Sequence, residues 1–257
     1  MFGNNKIFAL EISDESIKFV QYFKDEEEIS IGKYGEKNIP IGLIEQGEIV
    51  DMYACRDFFK SFQKEFKIKK AKIAIHLETD INNFNEKKEN ITKEYISLFK
   101  YLDIDLLSIE LKVHSLMKVV FKKDDVGANM ILDFGDKKTG IHFVQNGEIL
   151  STQDIPFGLF REIHNIADEI NRHFIYWHTS KDEYNKPRPK IQKIILVGKT
   201  GDITEFKEYL STKMHQDVEI ANVWQNIFPD DYFNTRIPEI PFEESLKYAG
   251  AIGLILE

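Results

Sequence analysis

Residues 129–158, NMILDFGDKKTGIHFVQNGEILSTQDIPFG, decide the fold of this chain. An apolar run at 130–132 ends on Asp133, and a polar turn begins at Gly135. Two strand-like runs then flank Asn146-Gly147, a dipeptide that predicts a β-hairpin because both turn positions need positive φ. A strand that ends in Asp-x-Gly before a tight turn aims backbone N–H groups and a carboxylate at one point, which suits a phosphate and its metal ion. Ordinary hairpins also carry Asp and Gly, so this stretch alone leaves a purely structural hairpin open.

The N-terminal part of the chain repeats this pattern. Residues 6–21, KIFALEISDESIKFVQ, contain an apolar run, Glu11, the small residue Ser13, a polar turn and a strand that ends in Phe-Val-Gln, as the second copy does at 143–145. Each copy then leads to an Ile-Pro-apolar-Gly segment, at 39–42 and 155–158. A repeat with so long a period predicts a duplicated domain, with halves at 1–124 and 125–257.

The composition excludes several classes of protein. The chain has 257 residues, of which 42% are hydrophobic and 30% charged, as in an ordinary globular protein with one or two cores. Its net charge of −9 argues against nonspecific binding of nucleic acid or anionic membranes as the main activity. The single cysteine, Cys55, excludes an internal disulfide and fits a reducing cytosol. No signal peptide or membrane-spanning run is expected from the sequence.

Hydrophobic periodicity predicts alternating strands and helices. The predicted strands are 6–12, 16–23, 29–37, 71–77, 103–110, 191–197 and 217–221, besides the hairpin. The predicted helices are 52–66, with Asp51 as its N-cap, then 92–101, 113–120, 160–177, 203–214 and 242–256, the last interrupted by the small residues at 248–253. Residues 79–90 are polar and lack periodicity, which predicts a loop.

The order and spacing of these segments resemble the superfamily of actin, sugar kinases and heat-shock chaperone ATPases. Within it the chain most resembles the PilM family of type IV pilus assembly, which is related to the cell-division protein FtsA. The matching segments are IFALEISDESIKFVQ and MILDFGDKKTGIHFVQNGEI for the two phosphate motifs, IGLIEQGEIVD for a Gly-x-Ile-x-x-Gly-x-Ile-x-Asp segment, EINRHFIYW and IILVGKTGDITEFKEYL for the adenosine region, and LKYAGAIGLILE for the closing helix.

The resemblance implies a duplicated, actin-like (ribonuclease H-like) α/β fold. Its two central subdomains would each contain a mixed five-stranded sheet flanked by helices. The family carries an extra subdomain where only residues 78–90 stand here, and a small lobe after the position of Gly158. Both protruding lobes are therefore expected to be reduced or absent.

The resemblance also implies ATP and Mg²⁺ as cofactors. The nucleotide-binding positions it implies are Glu11, Ser13, Lys18, Asp133, Gly135, Thr139, Gly198 and Lys199, with Glu11 and Asp133 as the metal-binding positions. No carboxylate is identified as the base that activates water, so no catalytic residue is assigned.

The first loop departs from the family pattern, which has Asp at Glu11, Gly at Ser13 and small neutral residues at the next two positions. Glu11 reaches one methylene further, and Ser13 adds a Cβ where the backbone approaches phosphate. Asp14 and Glu15 bring carboxylates toward a polyanion, and like unit charges about 4 Å apart repel by about 4 kcal/mol at an effective dielectric constant near 20. Lys199 replaces a glycine of the adenosine turn. Weak or lost ATP binding is therefore expected.

Three functions compete at this point. The favoured one is a PilM-like cytoplasmic scaffold, peripheral to the inner membrane through a partner, that holds the cytoplasmic tail of a PilN-like membrane-anchored protein. A pilus motor ATPase is a further candidate partner, and neither nucleic-acid binding nor direct membrane insertion is expected. The second is an active actin-like ATPase or small-molecule kinase, which needs two mobile lobes. The third is an FtsA-like membrane tether, which needs a basic amphipathic helix after the closing helix that the sequence to Glu257 does not contain.

Overall fold

The structure is a computed structural model that describes residues 6–24, 29–75, 84–122, 125–158, 163–182, 184–199, 203–228 and 240–256. Its strands are β1 Lys6–Ile12, β2 Ser16–Lys24, β3 Ile29–Asn38, β4 Ile44–Glu45, β5 Glu48–Ile49, β6 Lys70–Ile75, β7 Asp105–Leu111, β8 Ala128–Phe134, β9 Thr139–Gln145, β10 Glu148–Ile155, β11 Lys193–Gly198 and β12 Asp217–Ile220. Its helices are α1 Met52–Phe66, α2 Phe84–Tyr101, α3 Lys112–Val120, α4 Ile163–Thr179, α5 Ile203–Met214, α6 Phe242–Ser245, the 3-10 helix Leu246–Tyr248 and α7 Ala249–Gly253.

Two five-stranded sheets share one topology. Their strand orders are β3-β2-β1-β6-β7 and β10-β9-β8-β11-β12. In each sheet the first three strands form an antiparallel meander, and the last two join in parallel. Parallel neighbours need crossover connections, which the intervening helices supply. The predicted duplicated α/β fold is confirmed.

The chain divides into two compact units. One comprises residues 1–119, 223–241 and 248–257, and the other comprises residues 120–222 and 242–247. The first unit therefore recruits two segments from the C-terminal part of the chain. None of the described helices has the length and apolar composition needed to cross a bilayer.

Helix α1 forms the aromatic core of the first unit. It begins and ends at the predicted residues, and Asp51 caps it by accepting a hydrogen bond from the backbone N–H of Ala54 at 3.0 Å. Its buried face includes Phe59 and Phe62, and the Phe62 ring meets the edge of Phe19 on β2 at a centroid distance of 5.7 Å. The helical spacing of these aromatic residues thus indicates which face of α1 packs on the sheet.

Helix α4 packs on the second sheet through Trp177. This indole stacks on the ring of Phe143 in β9 at a centroid distance of 4.2 Å and an interplanar angle of 4°. On α5, Phe206 meets Phe134 of β8 edge-on at 5.4 Å. Because α4 and α5 are the two crossover helices of this sheet, each contributes an aromatic anchor to the same core.

The register of the two meanders corrects the alignment of the repeats. Glu11 lies opposite Lys18 in the first, and Asp133 lies opposite Gly140 in the second, so equivalent positions are 122 residues apart. Phe19 is therefore equivalent to Ile141 and not to Phe143. The two Phe-Val-Gln triplets are therefore displaced from each other by two residues. They have the same sequence but do not occupy equivalent positions in the two sheets.

Two segments differ from the sequence prediction. Residues 84–90, expected in a loop, form the first turns of α2, whereas residues 79–83 lie outside the described part. Glu89 and Lys93 form an i,i+4 ion pair on this helix, and the sequence of 84–90 has no apolar residues at helical spacing from which the helix could be predicted. The closing helix, predicted at 242–256 with an interruption at 248–253, is split into α6, a 3-10 turn and α7, and most of the predicted interruption is itself the helix α7.

Close packing at Gly253 accounts for the short closing helix. A Cβ on Gly253 would lie 2.0 Å from the carbonyl oxygen of Ser115 in α3. Only a glycine permits this backbone approach. The last turns of the chain are therefore shaped by their contact with α3 and not by helix propensity.

The connections expected to carry extra lobes are short. Eight residues, 76–83, separate β6 from α2, and seven, 156–162, separate β10 from α4. Segments of that length cannot fold as domains with their own cores. The described part of the chain therefore comprises the two five-stranded sheets, the β4–β5 hairpin and the helices.

The packing of α1 predicts an inert cysteine. Burial, reinforced by the nearby carboxylates of Asp51 and Glu94, raises the pKa of the Cys55 thiol to about 11. At pH 8 a thiol with that pKa has about 100-fold less thiolate than one at 9.0, and the thiolate is the reactive form. We expect the native protein to react with a disulfide reagent at least about 100-fold more slowly than the same protein in denaturant. Equal rates in the two states would contradict this packing.

Candidate functional site

Of the two predicted metal-binding residues, Glu11 is the more completely buried. It precedes the last residue of β1, and only 2% of its side chain is exposed. Its Oε1 atom lies 3.4 Å from the Nζ atom of Lys18 and 3.0 Å from the Nζ atom of Lys112. Both lysine side chains are themselves nearly buried, at 11% and 12% exposed. The carboxylate is thus surrounded by protein cations, which is the condition for burying a charge.

Each cation reaches Glu11 for a topological reason. Lys18 is the cross-strand partner of Glu11 in the antiparallel β1–β2 pair, so the two side chains share one face of the sheet. Lys112 is the first residue of α3, directly after β7, and β1, β6 and β7 are parallel. The carboxyl ends of parallel strands meet at one edge of a sheet, which brings the start of α3 toward the end of β1.

The other Glu11 oxygen faces α7. A Cβ built on Gly250 would lie 2.4 Å from Oε2, so any larger residue would displace the carboxylate. Gly250 is itself buried. The small residues of the closing segment therefore let the helix backbone lie directly against the acid.

The turn after Glu11 uses its own serine to satisfy its amides. The backbone N–H groups of Glu15 and Ser16 donate to the Ser13 hydroxyl oxygen at 3.3 and 3.2 Å. The backbone N–H of Ser13 donates to the carbonyl of Ser16 at 3.0 Å. In a phosphate-binding turn such amides point at the phosphate oxygens. Here they point at a side chain of the turn.

Asp14 is also engaged within the unit. Its Oδ1 atom accepts a hydrogen bond from the backbone N–H of Gly47 at 3.1 Å. Gln46 and Gly47 both have positive φ, 52° and 80°, as a tight β4–β5 hairpin requires. The turn after β1 is thereby tied to the hairpin of the Gly-x-Ile-x-x-Gly-x-Ile-x-Asp segment.

The second loop, in the other unit, keeps the backbone pattern and has a glycine opposite its acid. Asp133 is 5% exposed, and its cross-strand partner is Gly140 where the first loop has Lys18. The backbone N–H of Gly135 donates to the carbonyl of Lys138 at 2.8 Å, the counterpart of the Ser13–Ser16 bond. The Thr139 hydroxyl donates to the carbonyl of Phe157 at 2.6 Å and is fully buried. Thr139 therefore ties the start of β9 to the segment that follows β10.

Gly198 and Lys199 lie beside this second loop. Gly198 has a φ of 101°, and a Cβ there would lie 2.3 Å from the carbonyl oxygen of Phe134 and 2.9 Å from Oδ1 of Asp133. The backbone N–H of Lys199 donates to the same carbonyl at 2.6 Å, and its ammonium pairs with Asp136. The lysine that replaces the adenosine-motif glycine thus points along the second phosphate loop.

The eight predicted positions accordingly fall into two groups, each within one unit. Glu11, Ser13 and Lys18 form the first, and the remaining five residues form the second. Sequence reasoning missed Lys112 and the contact of Gly250 with Glu11. A lysine directly after a parallel strand at the same sheet edge is the signal by which Lys112 could have been found. No group of three or more His, Cys, Asp or Glu side chains in the described part of the chain is arranged to hold a metal ion.

Similarity to known proteins exists at the level of structure. No protein family and no curated protein matches the sequence. A PilM–PilN type IV pilus biogenesis complex matches with a TM-score of 0.66 and 11% identity, over 97% of this chain and 97% of that chain. The ethanolamine utilization protein EutJ from Carboxydothermus hydrogenoformans matches with a TM-score of 0.56 and 13% identity, over 97% and 89%. MreB5 of Spiroplasma citri bound to ADP matches with a TM-score of 0.52 and 10% identity, over 98% and 96%. These likenesses show that the chain has the actin-like ATPase fold.

The buried cluster predicts a large effect of neutralising Glu11. Glu11→Gln keeps the shape of the side chain but leaves two nearly buried ammonium groups without their carboxylate. We expect the free energy of unfolding, measured by urea denaturation, to fall by about 3 kcal/mol. Glu65→Gln is the matched control, because Glu65 pairs with Lys37 at the surface and is 50% exposed; its change should be less than about 1 kcal/mol. Equal effects of the two substitutions would contradict the buried cluster.

Proposed function

We propose that this protein is a PilM-like scaffold in which the first phosphate loop has become a structural element. The observation that carries the proposal is the pairing of Glu11 with Lys18 and Lys112 at 3.4 and 3.0 Å. In an actin-like ATPase the acid at this position faces the metal ion of a nucleotide. Here the ammonium groups of Lys18 and Lys112 contact the carboxylate and supply the positive charge that a metal ion would supply.

A magnesium ion does not fit the first loop as it is folded. Mg²⁺ needs octahedral oxygen ligands at about 2.0–2.1 Å and usually keeps several waters. The Glu11 carboxylate is 2% exposed, has two lysine nitrogens at Oε1 and has the backbone of Gly250 against Oε2. A divalent ion would have to displace at least one lysine while lying beside the other, and like charges at that range repel.

The polyphosphate would meet the same obstacle one turn later. Amides that could cradle it donate to the Ser13 hydroxyl, and the Asp14 carboxylate lies at the same turn. If the amides of Glu15 and Ser16 turned toward a phosphate, the Ser13 hydroxyl would lose the two hydrogen bonds that it accepts. The Asp14 carboxylate would in addition repel the phosphate. Both features favour a turn that stays closed without a ligand.

An ATP-binding actin-like ATPase is the second candidate, and the second loop favours it. Gly135, Gly198 and buried Asp133 keep the small residues and the acid of the family pattern, and a structural neighbour is MreB5 bound to ADP. This half alone supplies one side of a nucleotide site. The scaffold remains the better supported function because the first half has filled its side with protein groups.

Titration with Mg-ATP separates the two candidates. We expect isothermal titration calorimetry of the purified protein to detect at most weak binding. The double variant Glu11→Asp with Ser13→Gly restores the family residues, shortens the carboxylate and frees the turn amides, so it should bind more tightly than the natural sequence. A wild-type Kd in the low micromolar range or tighter would overturn the scaffold function and favour the ATPase.

The partner of the scaffold is proposed to be the cytoplasmic tail of a PilN-like membrane-anchored protein. The support is the match to a PilM–PilN complex over 97% of this chain. Such a tail would hold the protein at the cytoplasmic face of the inner membrane, where a pilus motor ATPase is a further candidate partner. Tail binding would use protein surfaces and would need no nucleotide.

A binding measurement tests this partner. The probe is a synthetic peptide with the sequence of the cytoplasmic tail of the membrane-anchored pilus protein from the same genome, and a scrambled peptide is the control. We expect saturable binding by fluorescence anisotropy that is unchanged by added Mg-ATP. Binding that requires Mg-ATP, or identical binding of the scrambled peptide, would contradict a nucleotide-independent scaffold.

A further inference from the structure

A second feature of the molecule, unrelated to the phosphate loops, is a basic loop at residues 180–190. It follows α4 and carries four basic residues, Lys181, Lys186, Arg188 and Lys190, against two acidic ones, Asp182 and Glu183. The net charge of these eleven residues is +2, in a chain whose total is −9. The basic loop therefore has a positive net charge within a protein whose net charge is negative.

The basic loop is held in a defined conformation. The backbone N–H groups of Tyr184 and Lys186 donate to Oδ1 of Asp182 at 3.0 and 2.7 Å. The ends of the loop approach each other through a bridge between Lys181 and Pro187. The Asp182 carboxylate thus acts as the internal cap of the turn, which lowers the entropy lost when the loop binds a surface.

The base of the basic loop is anchored to the sheet through an aromatic stack. The Arg188 guanidinium lies over the Trp177 ring at 4.5 Å from its centroid, and this ring stacks on Phe143. The Trp177 indole N–H donates to the carbonyl of Pro189 at 2.9 Å. The loop therefore presents its charges from a rigid platform.

The lysines of the basic loop lack intramolecular compensation. Lys181, Lys186 and Lys190 are exposed, and none has an ion pair among the described residues. The flanking cations differ, because Arg172 pairs with Glu169 and Lys193 pairs with Glu219. The cations on both sides of the loop are thus paired, whereas its three lysines have no ion pair among the described residues.

Large apolar side chains are exposed in the same segment. Ile175 and Tyr176, near the end of α4, are 51% and 64% exposed, and Tyr184 in the loop is 73% exposed. Tyrosine is favoured where one end of a side chain meets an apolar medium and the other meets water. Basic residues combined with exposed aromatic and aliphatic ones are the composition of surfaces that lie at the membrane interface.

We propose that the basic loop and the end of α4 bind the surface of a membrane that contains anionic phospholipids. The lysine ammonium groups would contact lipid phosphates, and Ile175, Tyr176 and Tyr184 would enter the headgroup region. Contact would be interfacial, and no segment would span the bilayer. Because the rest of the chain is acidic, anionic lipids would repel other faces and orient the protein with this loop toward the membrane.

A membrane fits these groups better than a nucleic acid does. Nucleic-acid surfaces stack bases on aromatic rings and track phosphates along a basic groove, and an exposed isoleucine has no role in either contact. In a lipid interface Ile175 is the kind of residue that adds apolar area. This inference goes beyond the partner proposed above and does not depend on it, since vesicles without protein partners test it.

The experiment is co-sedimentation with vesicles. The full chain is mixed with vesicles of equal parts phosphatidylglycerol and phosphatidylcholine, or of phosphatidylcholine alone, at low and high salt. We expect binding to the anionic vesicles that weakens as salt screens the charges. The Lys181→Glu, Lys186→Glu, Lys190→Glu triple variant should lower the partition coefficient by more than about 100-fold, since each basic residue near such a surface contributes roughly fivefold.

The matched control makes the same change of charge elsewhere. Lys60→Glu, Lys64→Glu and Lys69→Glu alter exposed lysines of the first unit that have no ion pair among the described residues, and this variant should retain most of the binding. Tyr176→Ser with Tyr184→Ser should reduce binding that persists at high salt. Circular dichroism checks that every variant is folded.

Three outcomes would overturn the proposal. The first is binding that does not distinguish anionic from neutral vesicles, or no binding to either. The second is an equal loss of binding in the two lysine triple variants, because that would reflect net charge alone. The third is binding of a DNA oligonucleotide through the loop lysines without binding of vesicles, which would assign the surface to nucleic acid.

Discussion

A single buried carboxylate determines how the first unit is assembled. Glu11 requires cations where it is buried, because an uncompensated charge in a protein interior costs several kcal/mol. Lys18 supplies one from the neighbouring strand, and Lys112 supplies another from the start of α3. Gly250 brings the closing segment against the same group. Segments distant in sequence are thus joined around one carboxylate.

The two halves of the molecule have kept one topology while diverging at equivalent positions. Their strand orders correspond one to one, and their β-turns are closed by equivalent backbone bonds at Ser13 and Gly135. The difference lies in what fills the space after the first strand. Lys18 and Gly140 are equivalent by register, so one half places an ammonium group where the other places only backbone. The two halves therefore differ in the residue opposite the acid, while the backbone of the turn is the same.

Much of this fold could be predicted because burial leaves a periodic trace in sequence. The bounds of β1 and α1 are those that alternation and helical spacing indicate, since both elements bury one face. The start of α2 could not be predicted, because the sequence of 84–90 has no apolar residues at helical spacing. The contacts of Gly250 and Gly253 could not be predicted either, since a small residue does not reveal which backbone approaches it.

The candidate site was predicted in part for the same reason. Strand ends and turns mark Glu11 and Asp133 as candidates, but the partner of a buried charge is chosen by tertiary packing. Lys112 has no motif of its own, and only sheet topology places it beside Glu11. The basic loop could not be recognised from the net charge. The value of −9 is a sum over the chain and does not reveal the local group of Lys181, Lys186 and Lys190.

The central claim is that lysines occupy the position of a metal ion at Glu11. Anomalous X-ray diffraction from crystals grown with ATP and Mn²⁺ tests it most directly, because manganese can be located independently of the protein atoms. The account predicts no manganese peak bonded to Glu11, with the ammonium groups of Lys18 and Lys112 still beside the carboxylate. A manganese ion coordinated by Glu11, with Lys112 displaced, would contradict it.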